Sequence, residues 1–167
     1  LVVLQFGISI VLIISTIIIY QQIKHIKSRE LGYDKERLIQ TALRGDMQKN
    51  FPVIKEQLLA SGYVENATLS NLNALYMGSN TTGFDWEGKD PNDKTDFDIY
   101  NADEDLVKTT GLQLVKGRDF NLKQFPTDST AVILNESAVK AMNFKDPLGQ
   151  TVKNNDISRH VVGVIKD

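Results

Sequence analysis

The side chains best suited to acid–base or nucleophilic chemistry are few and lie far apart in this sequence. The two histidines are His25, near the start, and His160, near the end, and neither has a second histidine at the spacing of a metal site. Ser137 and Lys140 fit an S-x-x-K pattern, which puts both side chains on one helical face. The K-T-G and S-D-N patterns that accompany it in penicillin-binding enzymes are missing. We therefore interpret this pair as part of a surface helix.

Carboxylates are concentrated in one segment of the chain. Residues 85–105 hold nine carboxylates against only Lys89 and Lys94. A calcium loop needs oxygen ligands at regular spacing with a glycine bend, and that arrangement does not occur here. The segment is interpreted as a solvated acidic hairpin, with a weak cation site or a surface for a basic protein partner as the alternatives.

Several other kinds of site are excluded by composition. The chain has no cysteine, so it has no disulfide, thiol nucleophile or cysteine-ligated metal. It lacks the G-x-x-x-x-G-K-[ST] loop that cradles nucleotide phosphates. Its formal net charge is −2, which argues against a nucleic-acid partner. The sequence therefore predicts no catalytic, cofactor-binding or metal-binding residue, and a protein that is not an enzyme.

The predicted secondary-structure elements are more informative than these side chains. The first of them lies in the first twenty residues. Leu1 to Tyr20 carry no charge, and fifteen of these twenty residues are apolar. About twenty helical residues cross the hydrocarbon core of a bilayer, which favours a transmembrane helix over residues 1–20. A secretory signal peptide is the first alternative, but no small-residue cleavage site follows Tyr20. A buried core helix is the second, and such helices are usually shorter and amphipathic.

The helix is expected to continue beyond the bilayer. Ile19, Ile23 and Ile26 extend one apolar stripe into the polar residues that follow. Gly32 is a plausible terminator, because glycine tolerates the left-handed conformation just past a helix end. We therefore predict three parts: a transmembrane helix over 1–20, a helical stalk over 21–32 and a domain over 33–167.

Three polar residues share one face of the predicted span: Gln5, Ser9 and Thr16. Small and polar residues pack and hydrogen-bond at helix–helix contacts in membranes. This face is a candidate for such a contact, and the alternative is scattered polar residues tolerated in lipid.

The first half of the domain is predicted to begin with a strand–helix–strand unit. Its parts are a strand over 37–44, a helix over 47–60 and a strand over 64–70, followed by a loop over 71–82. Two strands, 83–88 and 96–101, flank a turn at Asp90 to Asp93.

The second half alternates short helices and strands. Residues 103–110 are predicted as a short helix, 131–134 as a buried strand and 136–142 as a helix capped by Asn135. A hairpin follows, with strands over 151–153 and 160–165. Together these elements predict an α+β domain.

Five segments occur in an order that is similar to one known family. They are the stalk end at 30–35 (ELGYDK), then 110–120 (TGLQLVKGRDF), 132–139 (VILNESAV), 146–149 (DPLG) and 161–167 (VVGVIKD). This succession resembles the MacB-type, FtsX-like permeases of bacterial ABC transporters, and particularly the large permeases common in Bacteroidota. The resemblance covers essentially the whole chain.

The resemblance implies a fold and a location. It implies one N-terminal transmembrane helix, extended as a stalk into a mixed α/β extracytoplasmic domain of two subdomains, and a fragment that stops before further membrane spans. It places the protein in the bacterial inner membrane with its main domain in the periplasm. The cations Lys24, Lys27 and Arg29 would favour a cytoplasmic flank, but that rule compares both flanks of a span.

The resemblance also implies partners. These are the lipid bilayer, a cytoplasmic ATPase subunit that binds the ATP, a second permease copy in a dimer, and a periplasmic or outer-membrane partner. Such a permease couples ATP hydrolysis to export or to mechanotransmission across the envelope. The alternative function is a ligand-sensing extracytoplasmic domain of a membrane-anchored receptor.

Overall fold

The computed structural model describes residues 2–28, 37–71 and 79–167. The chain divides into two compact units, one holding the N-terminal helix and the other beginning at Gly32. Each unit is described by itself below.

The first unit is a single long helix, α1 (Val2–Ser28). Its 27 residues rise about 40 Å, more than the hydrocarbon thickness of a bilayer. The helix continues well past Tyr20, as the predicted stalk requires. Gly32, the predicted terminator, lies outside the described residues.

The second unit mixes short helices with strands. Its α-helices are α2 (Phe51–Ala60), α3 (Leu106–Thr110) and α4 (Glu136–Ala141), and short 3-10 helices span Gly45–Met47 and Pro126–Thr130. Its strands are β1 (Ser79–Thr81), β2 (Phe84–Trp86), β3 (Phe97–Ile99), β4 (Leu114–Gly117), β5 (Ala131–Asn135), β6 (Thr151–Asn154) and β7 (Ile157–Ile165). The predicted α+β domain behind an N-terminal apolar helix is confirmed.

Strand β7 organises a five-stranded sheet. It pairs antiparallel with β6 and with β4, and parallel with β5, while β2 pairs antiparallel with the other edge of β6. The register with β5 shifts between Val132 and Ile133, so one residue of β7 bulges there. Four consecutive residues of β7, 161–164, are buried. That continuous apolar run is typical of a strand covered on both faces.

The β6–β7 hairpin turns through two residues, Asn155 and Asp156. Both have positive φ, 48° and 63°. A two-residue loop with two positive φ angles is the type I′ turn, whose twist matches that of the paired strands, and Asn and Asp tolerate this conformation. The hairpin predicted from 151–153 and 160–165 is therefore confirmed, with a longer return strand than expected.

The core lies between one face of this sheet and helix α4. Its buried members are Phe84, Trp86, Leu134, Ala138, Met142, Val152 and Val161. Val152 and Val161 are almost wholly buried, at 0% and 1% exposure. Asn135 caps α4 as predicted, because its Oδ1 accepts from the backbone N–H of Ala138 at 3.0 Å.

The predicted acidic hairpin is wrong. Strand β3 pairs with β1 in a separate two-stranded sheet, whereas β2 pairs with β6. The two strands meet instead through aromatic side chains: the Phe97 ring packs edge-on against Phe84, with centroids 5.6 Å apart, and against Trp86 at 5.9 Å. The apolar side chains of the acidic segment therefore join two sheets, and the predicted turn is retained, with the Asp93 N–H donating to the Asp90 carbonyl at 2.9 Å.

The predicted strand–helix–strand unit is also wrong at both strands. Residues 37–44 form no strand, and Ile39 is 92% exposed. Of 64–70, only Ser70 forms a β-bridge, to Ala102. The Asp103 carboxylate accepts from the N–H of Leu69 at 2.8 Å and from the hydroxyl of Thr68, so a side chain replaces part of a strand ladder.

The helix between those segments forms, but it is shorter than predicted. It begins at Phe51 and has Pro52 in its first turn. Proline is tolerated there because a backbone N–H in the first turn has no acceptor within the helix. The loop predicted over 71–82 contains strand β1, which depends on a partner about twenty residues away and carries no local strand signal.

Candidate functional site

Helix α1 is the element most directly suited to a membrane function. Within the described residues it is the one helix that is long and apolar enough to cross a bilayer, over Val2–Lys24. Its large apolar side chains are exposed along its whole described length, from Val3 at 86% to Ile23 at 47%. Apolar surface of this extent makes α1 a candidate membrane span, because a soluble helix usually buries an apolar stripe.

The predicted contact residues Gln5, Ser9 and Thr16 lie within this helix. The Ser9 hydroxyl donates to the carbonyl of Gln5 at 2.9 Å, and the Thr16 hydroxyl donates to the carbonyl of Leu12 at 2.8 Å. Both hydroxyls therefore satisfy their donors within the helix, which is how Ser and Thr are accommodated in lipid. A helix–helix contact on this face stays a prediction.

A second, charged site lies inside the domain, where an arginine and an aspartate form a paired set of hydrogen bonds. The Arg118 guanidinium donates to the two carboxylate oxygens of Asp128 at 2.5 and 2.8 Å. The Asp128 side chain is fully buried, whereas that of Arg118 is 35% exposed. The backbone N–H of Asn121 donates to the same carboxylate at 2.8 Å. A bidentate pair of this kind fixes geometry as well as charge.

The elements around the pair hold both partners in place. Arg118 directly follows β4, and its backbone N–H donates to the Val162 carbonyl of β7 at 3.0 Å. Asp128 lies in the 3-10 helix Pro126–Thr130. The guanidinium carbon also lies 3.9 Å from the centroid of the Phe125 ring, a cation–π contact. The pair thereby joins the segment that follows β4 to the segment that precedes β5.

The ion pair changes the acid–base properties of Asp128. The hydrogen bonds from Arg118 hold the pKa of the Asp128 carboxyl below its usual value, and they outweigh the opposing effect of burial. His160 of β7 approaches the same carboxylate, with its Nε2 3.9 Å from Oδ1. The Asp128 carboxylate already accepts hydrogen bonds from Arg118 and from the Asn121 backbone. The contact with His160 therefore does not resemble the hydrogen bond that orients a histidine as a general base.

A glycine next to the pair lets two strands approach closely. Gly117 has φ +75°, and a Cβ there would lie 2.2 Å from the Val162 carbonyl oxygen. Its cross-strand neighbour is Gly163, where a Cβ would lie 2.5 Å from the Arg118 carbonyl oxygen. The β4–β7 crossing next to Arg118 therefore requires glycine on both strands.

Asp119 anchors the adjacent helix α3. One carboxylate oxygen accepts from the N–H of Val107 at 2.9 Å and, more weakly, from that of Lys108 at 3.4 Å, at the start of the helix. The other accepts from the N–H of Phe120 at 2.8 Å. Burial nevertheless raises the pKa of this carboxyl above its usual value. Arg118 and Asp119 are thus neighbours in sequence that hold two different elements.

The residues considered for chemistry lie in different elements. His25 lies in α1, while Ser137 and Lys140 lie on α4 and His160 lies on β7. The Ser137 hydroxyl donates to the Asp167 carboxylate at 2.6 Å, and its N–H donates to the same side chain at 2.9 Å. Among the residues that the structure describes, no group of three His, Cys, Asp or Glu side chains is arranged to hold a metal ion.

Sequence reasoning missed the Arg118–Asp128 pair. Both residues are of common types, and their separation of ten positions matches no helical or strand period. The neighbouring Gly117 was the one available signal, since a glycine inside an apolar and basic strand segment suggests a close backbone approach.

Comparison with known proteins gives a family match over the whole chain. A family described as the MacB-like periplasmic core domain matches residues 1–167. A comparison with curated proteins found no match.

Three solved structures are similar in part. The periplasmic region of MacB from Actinobacillus actinomycetemcomitans is 23% identical and covers 83% of this chain and 57% of its own, with a TM-score of 0.48. A domain of a putative permease from Porphyromonas gingivalis is 23% identical, with coverages of 70% and 48% and a TM-score of 0.47. The extracellular domain of the ABC-type transporter YknZ from Gram-positive bacteria is 24% identical, with coverages of 50% and 43% and a TM-score of 0.41. The chain therefore spans about half the length of these structures.

Proposed function

The chain belongs to the MacB-like periplasmic core domain family, and from that premise we propose that it is a non-catalytic part of an ABC transporter permease. In this proposal α1 crosses the inner membrane and the α+β domain lies in the periplasm. The observation that carries it is a single family match that includes both the apolar helix and the domain.

The proposed mechanism divides the work between two subunits. A separate cytoplasmic ATPase binds and hydrolyses ATP, since this sequence has no phosphate-binding glycine loop. Movement of the permease spans is then carried by α1 to the domain, which acts in export or in mechanotransmission across the envelope. A continuous helix suits this task, because its backbone hydrogen bonds form one unbroken column over Val2–Ser28.

The domain is proposed to move as a rigid body that is held together by internal contacts. The Arg118–Asp128 pair and the close β4–β7 crossing join segments that are distant in sequence. Such cross-links restrict internal rearrangement, so force applied at one end of the domain reaches the other end. Permease dimerisation, with Gln5, Ser9 and Thr16 as candidate contact residues, and contact with an envelope partner belong to the same proposal.

The absence of cysteine makes the topology directly testable. A single cysteine is placed at the exposed Lys140 of α4 (Lys140→Cys), and another at the start of α1 (Val2→Cys). Cells with a permeabilised outer membrane are treated with a maleimide that does not cross the inner membrane. We expect labelling of the Lys140→Cys protein while the inner membrane is intact, and of the Val2→Cys protein only after the cells are lysed. The reverse pattern would place the domain in the cytoplasm and overturn the proposal.

A further inference from the structure

Residues 101–105, between β3 and α3, form a joint segment that contacts the α2 segment, residues 37–71. One contact between the two segments is an ion pair, in which the Nζ of Lys55 lies 3.1 Å from the Oδ2 of Asp105. The Lys55 side chain is only 17% exposed and that of Asp105 is 41% exposed. Water and salt therefore screen this pair less than they screen a pair on the surface.

The joint segment also binds the end of the α2 segment. The Asp103 carboxylate accepts from the N–H of Leu69 at 2.8 Å and from the hydroxyl of Thr68. The Asp103 N–H donates back to the Leu69 carbonyl at 2.9 Å. The N–H of Asn71 donates to the Asn101 carbonyl at 3.0 Å. The α2 segment is therefore held both at its helix and at its last residues by the same five residues.

Asp105 contacts α2 and α3 at the same time. Its carbonyl accepts from the N–H of Thr109 in α3 at 2.8 Å. Its φ is 65°, in the left-handed region, which aspartate tolerates better than most residues. An aspartate just before a helix commonly caps that helix, but the Asp105 side chain makes no capping hydrogen bond. Its carboxylate is thereby available to Lys55.

Asp119 accepts from the start of α3 instead and connects this helix to the sheet. Its carboxylate accepts from the N–H of Val107 at 2.9 Å. Asp119 directly follows Arg118, whose N–H donates to the Val162 carbonyl of β7 at 3.0 Å. A series of polar contacts therefore runs from α2 through the joint segment and α3 to β7.

We propose that the joint segment makes the α2 segment move together with the five-stranded sheet, and that the Lys55–Asp105 pair is its decisive contact. This inference rests on the proposed permease function, in which displacement carried by α1 enters the domain through the α2 segment. Phe51 is the one buried residue of α2, so apolar burial contributes little to holding this helix. Segments with few buried apolar contacts open at a low cost in free energy, and the polar joint is then what keeps α2 with the sheet.

Lys49 provides a matched control in the same segment. Its Nζ lies 3.6 Å from the Oδ1 of Asp46, three residues away, and the two side chains are 84% and 81% exposed. Lys49→Met and Lys55→Met each remove one positive charge and one ion pair, but only Lys55→Met breaks a contact with the joint segment. Lys55→Arg keeps the charge at the joint.

The first measurement is native-state hydrogen exchange of the full chain in detergent, followed by mass spectrometry. We expect the α2 amides to exchange about tenfold faster in Lys55→Met, which corresponds to about 1.4 kcal/mol, because a partly exposed ion pair lies between surface and buried pairs in strength. Exchange in β5, β6 and β7 should not change, and Lys49→Met and Lys55→Arg should match the wild type throughout. Unchanged α2 exchange in Lys55→Met, or an equal acceleration in the sheet, would contradict the joint.

A cross-link tests whether the joint transmits displacement. Because the chain has no cysteine, Lys55→Cys with Asp105→Cys places two thiols at the pair, in an otherwise cysteine-free permease and ATPase. In the complete permease assembled with its ATPase in nanodiscs, this double variant should lose permease-dependent ATP hydrolysis. A short bis-maleimide that bridges the two thiols should restore the hydrolysis, whereas N-ethylmaleimide should not. Restoration by both reagents, or by neither, would overturn the transmitting role.

The single variants separate failure of the joint from failure of the proposed function. Permease-dependent hydrolysis that is present in the wild type and Lys49→Met, and is fully retained in Lys55→Met, would overturn the joint and leave the permease function intact. A wild type without permease-dependent hydrolysis would overturn the proposed function and the transmitting role together. The exchange measurement would then still decide whether the Lys55–Asp105 pair holds α2 to the sheet.

Discussion

At the scale of single residues, Asp128 is the side chain whose contacts are most easily translated into stability. It is fully buried and accepts from Arg118 and from the Asn121 backbone. Removing one partner of a buried ion pair typically costs about 3–5 kcal/mol. Because Arg118 retains 35% exposure, we expect Asp128→Asn to cost less, about 2–3 kcal/mol of unfolding free energy. Urea unfolding followed by Trp86 fluorescence measures this in the full chain in detergent.

The same substitution has a predicted dependence on pH. The pKa of Asp128 is lowered by Arg118, so its contribution is present above the unfolded pKa and is lost as the pH falls through the folded pKa. The cost of Asp128→Asn should therefore be full at neutral pH and should shrink below about pH 4. Asp119, whose pKa burial raises, acts in the opposite sense but is present in both proteins and cancels. A cost that stays constant down to strongly acidic pH would argue that the pair is not ionic.

A comparison of Gly117 with Gly149 separates the free-energy cost of a positive φ from the cost of a steric clash. Gly117 and Gly149 have nearly equal φ, +75° and +78°, but a Cβ meets the Val162 carbonyl oxygen at 2.2 Å at the first position and nothing within 4 Å at the second. We expect Gly149→Ala to cost about 1 kcal/mol for the angle alone. Gly117→Ala should cost at least about 3 kcal/mol, because two paired backbones must separate. Similar melting temperatures for the two variants would show that the β4–β7 crossing adjusts without loss.

At the scale of elements, local sequence signals located most of the second half of the domain. Ala131–Asn135, the helix capped by Asn135 and the β6–β7 hairpin each carry their own signal: an apolar run, an N-cap and turn residues that tolerate positive φ. Each of these depends on residues within about ten positions, which is the range that periodicity and capping rules read.

The elements that sequence reasoning missed depend on distant partners. Strand β1 is polar and exists because it pairs with β3. Residues 64–70 alternate like a strand, yet the Asp103 carboxylate takes the Leu69 N–H that a neighbouring strand would have used. Strands β2 and β3 are close in sequence, but they belong to two different sheets and contact each other through aromatic side chains. Strand pairing of this kind depends on tertiary contacts, and a local sequence pattern carries no information about them.

The acidic segment illustrates how the scales interact. The sequence suggested a solvated run of carboxylates, but several of them have structural roles. Asp103 accepts from the Thr68 hydroxyl and the Leu69 N–H, and Asp105 pairs with the largely buried Lys55 at 3.1 Å. Asp85 and Asp98 are exposed on the outward faces of their strands. Charge counting treats these residues alike, whereas the fold divides them into structural and solvated members.

At the scale of the whole molecule, the question is whether α1 acts only as an anchor or also transmits displacement. Its helix continues beyond the uncharged residues 1–20 to Ser28, so an anchor role accounts for only part of its length. A helix that transmits force must keep its hydrogen-bond column intact where it leaves the bilayer. Two consecutive prolines remove two of those bonds and kink the helix.

The paired substitutions Gln21→Pro and Gln22→Pro test this without altering the uncharged segment. Both residues lie in α1 beyond Tyr20, and Gln21→Ala with Gln22→Ala is the matched control that keeps the helix. In the complete permease assembled with its ATPase in nanodiscs, we expect the alanine pair to retain permease-dependent ATP hydrolysis. The proline pair should fall to the rate of the ATPase alone while still resisting alkaline extraction from membranes. A proline pair that inserts and remains fully active would restrict α1 to anchoring, because a broken column cannot carry displacement to the domain.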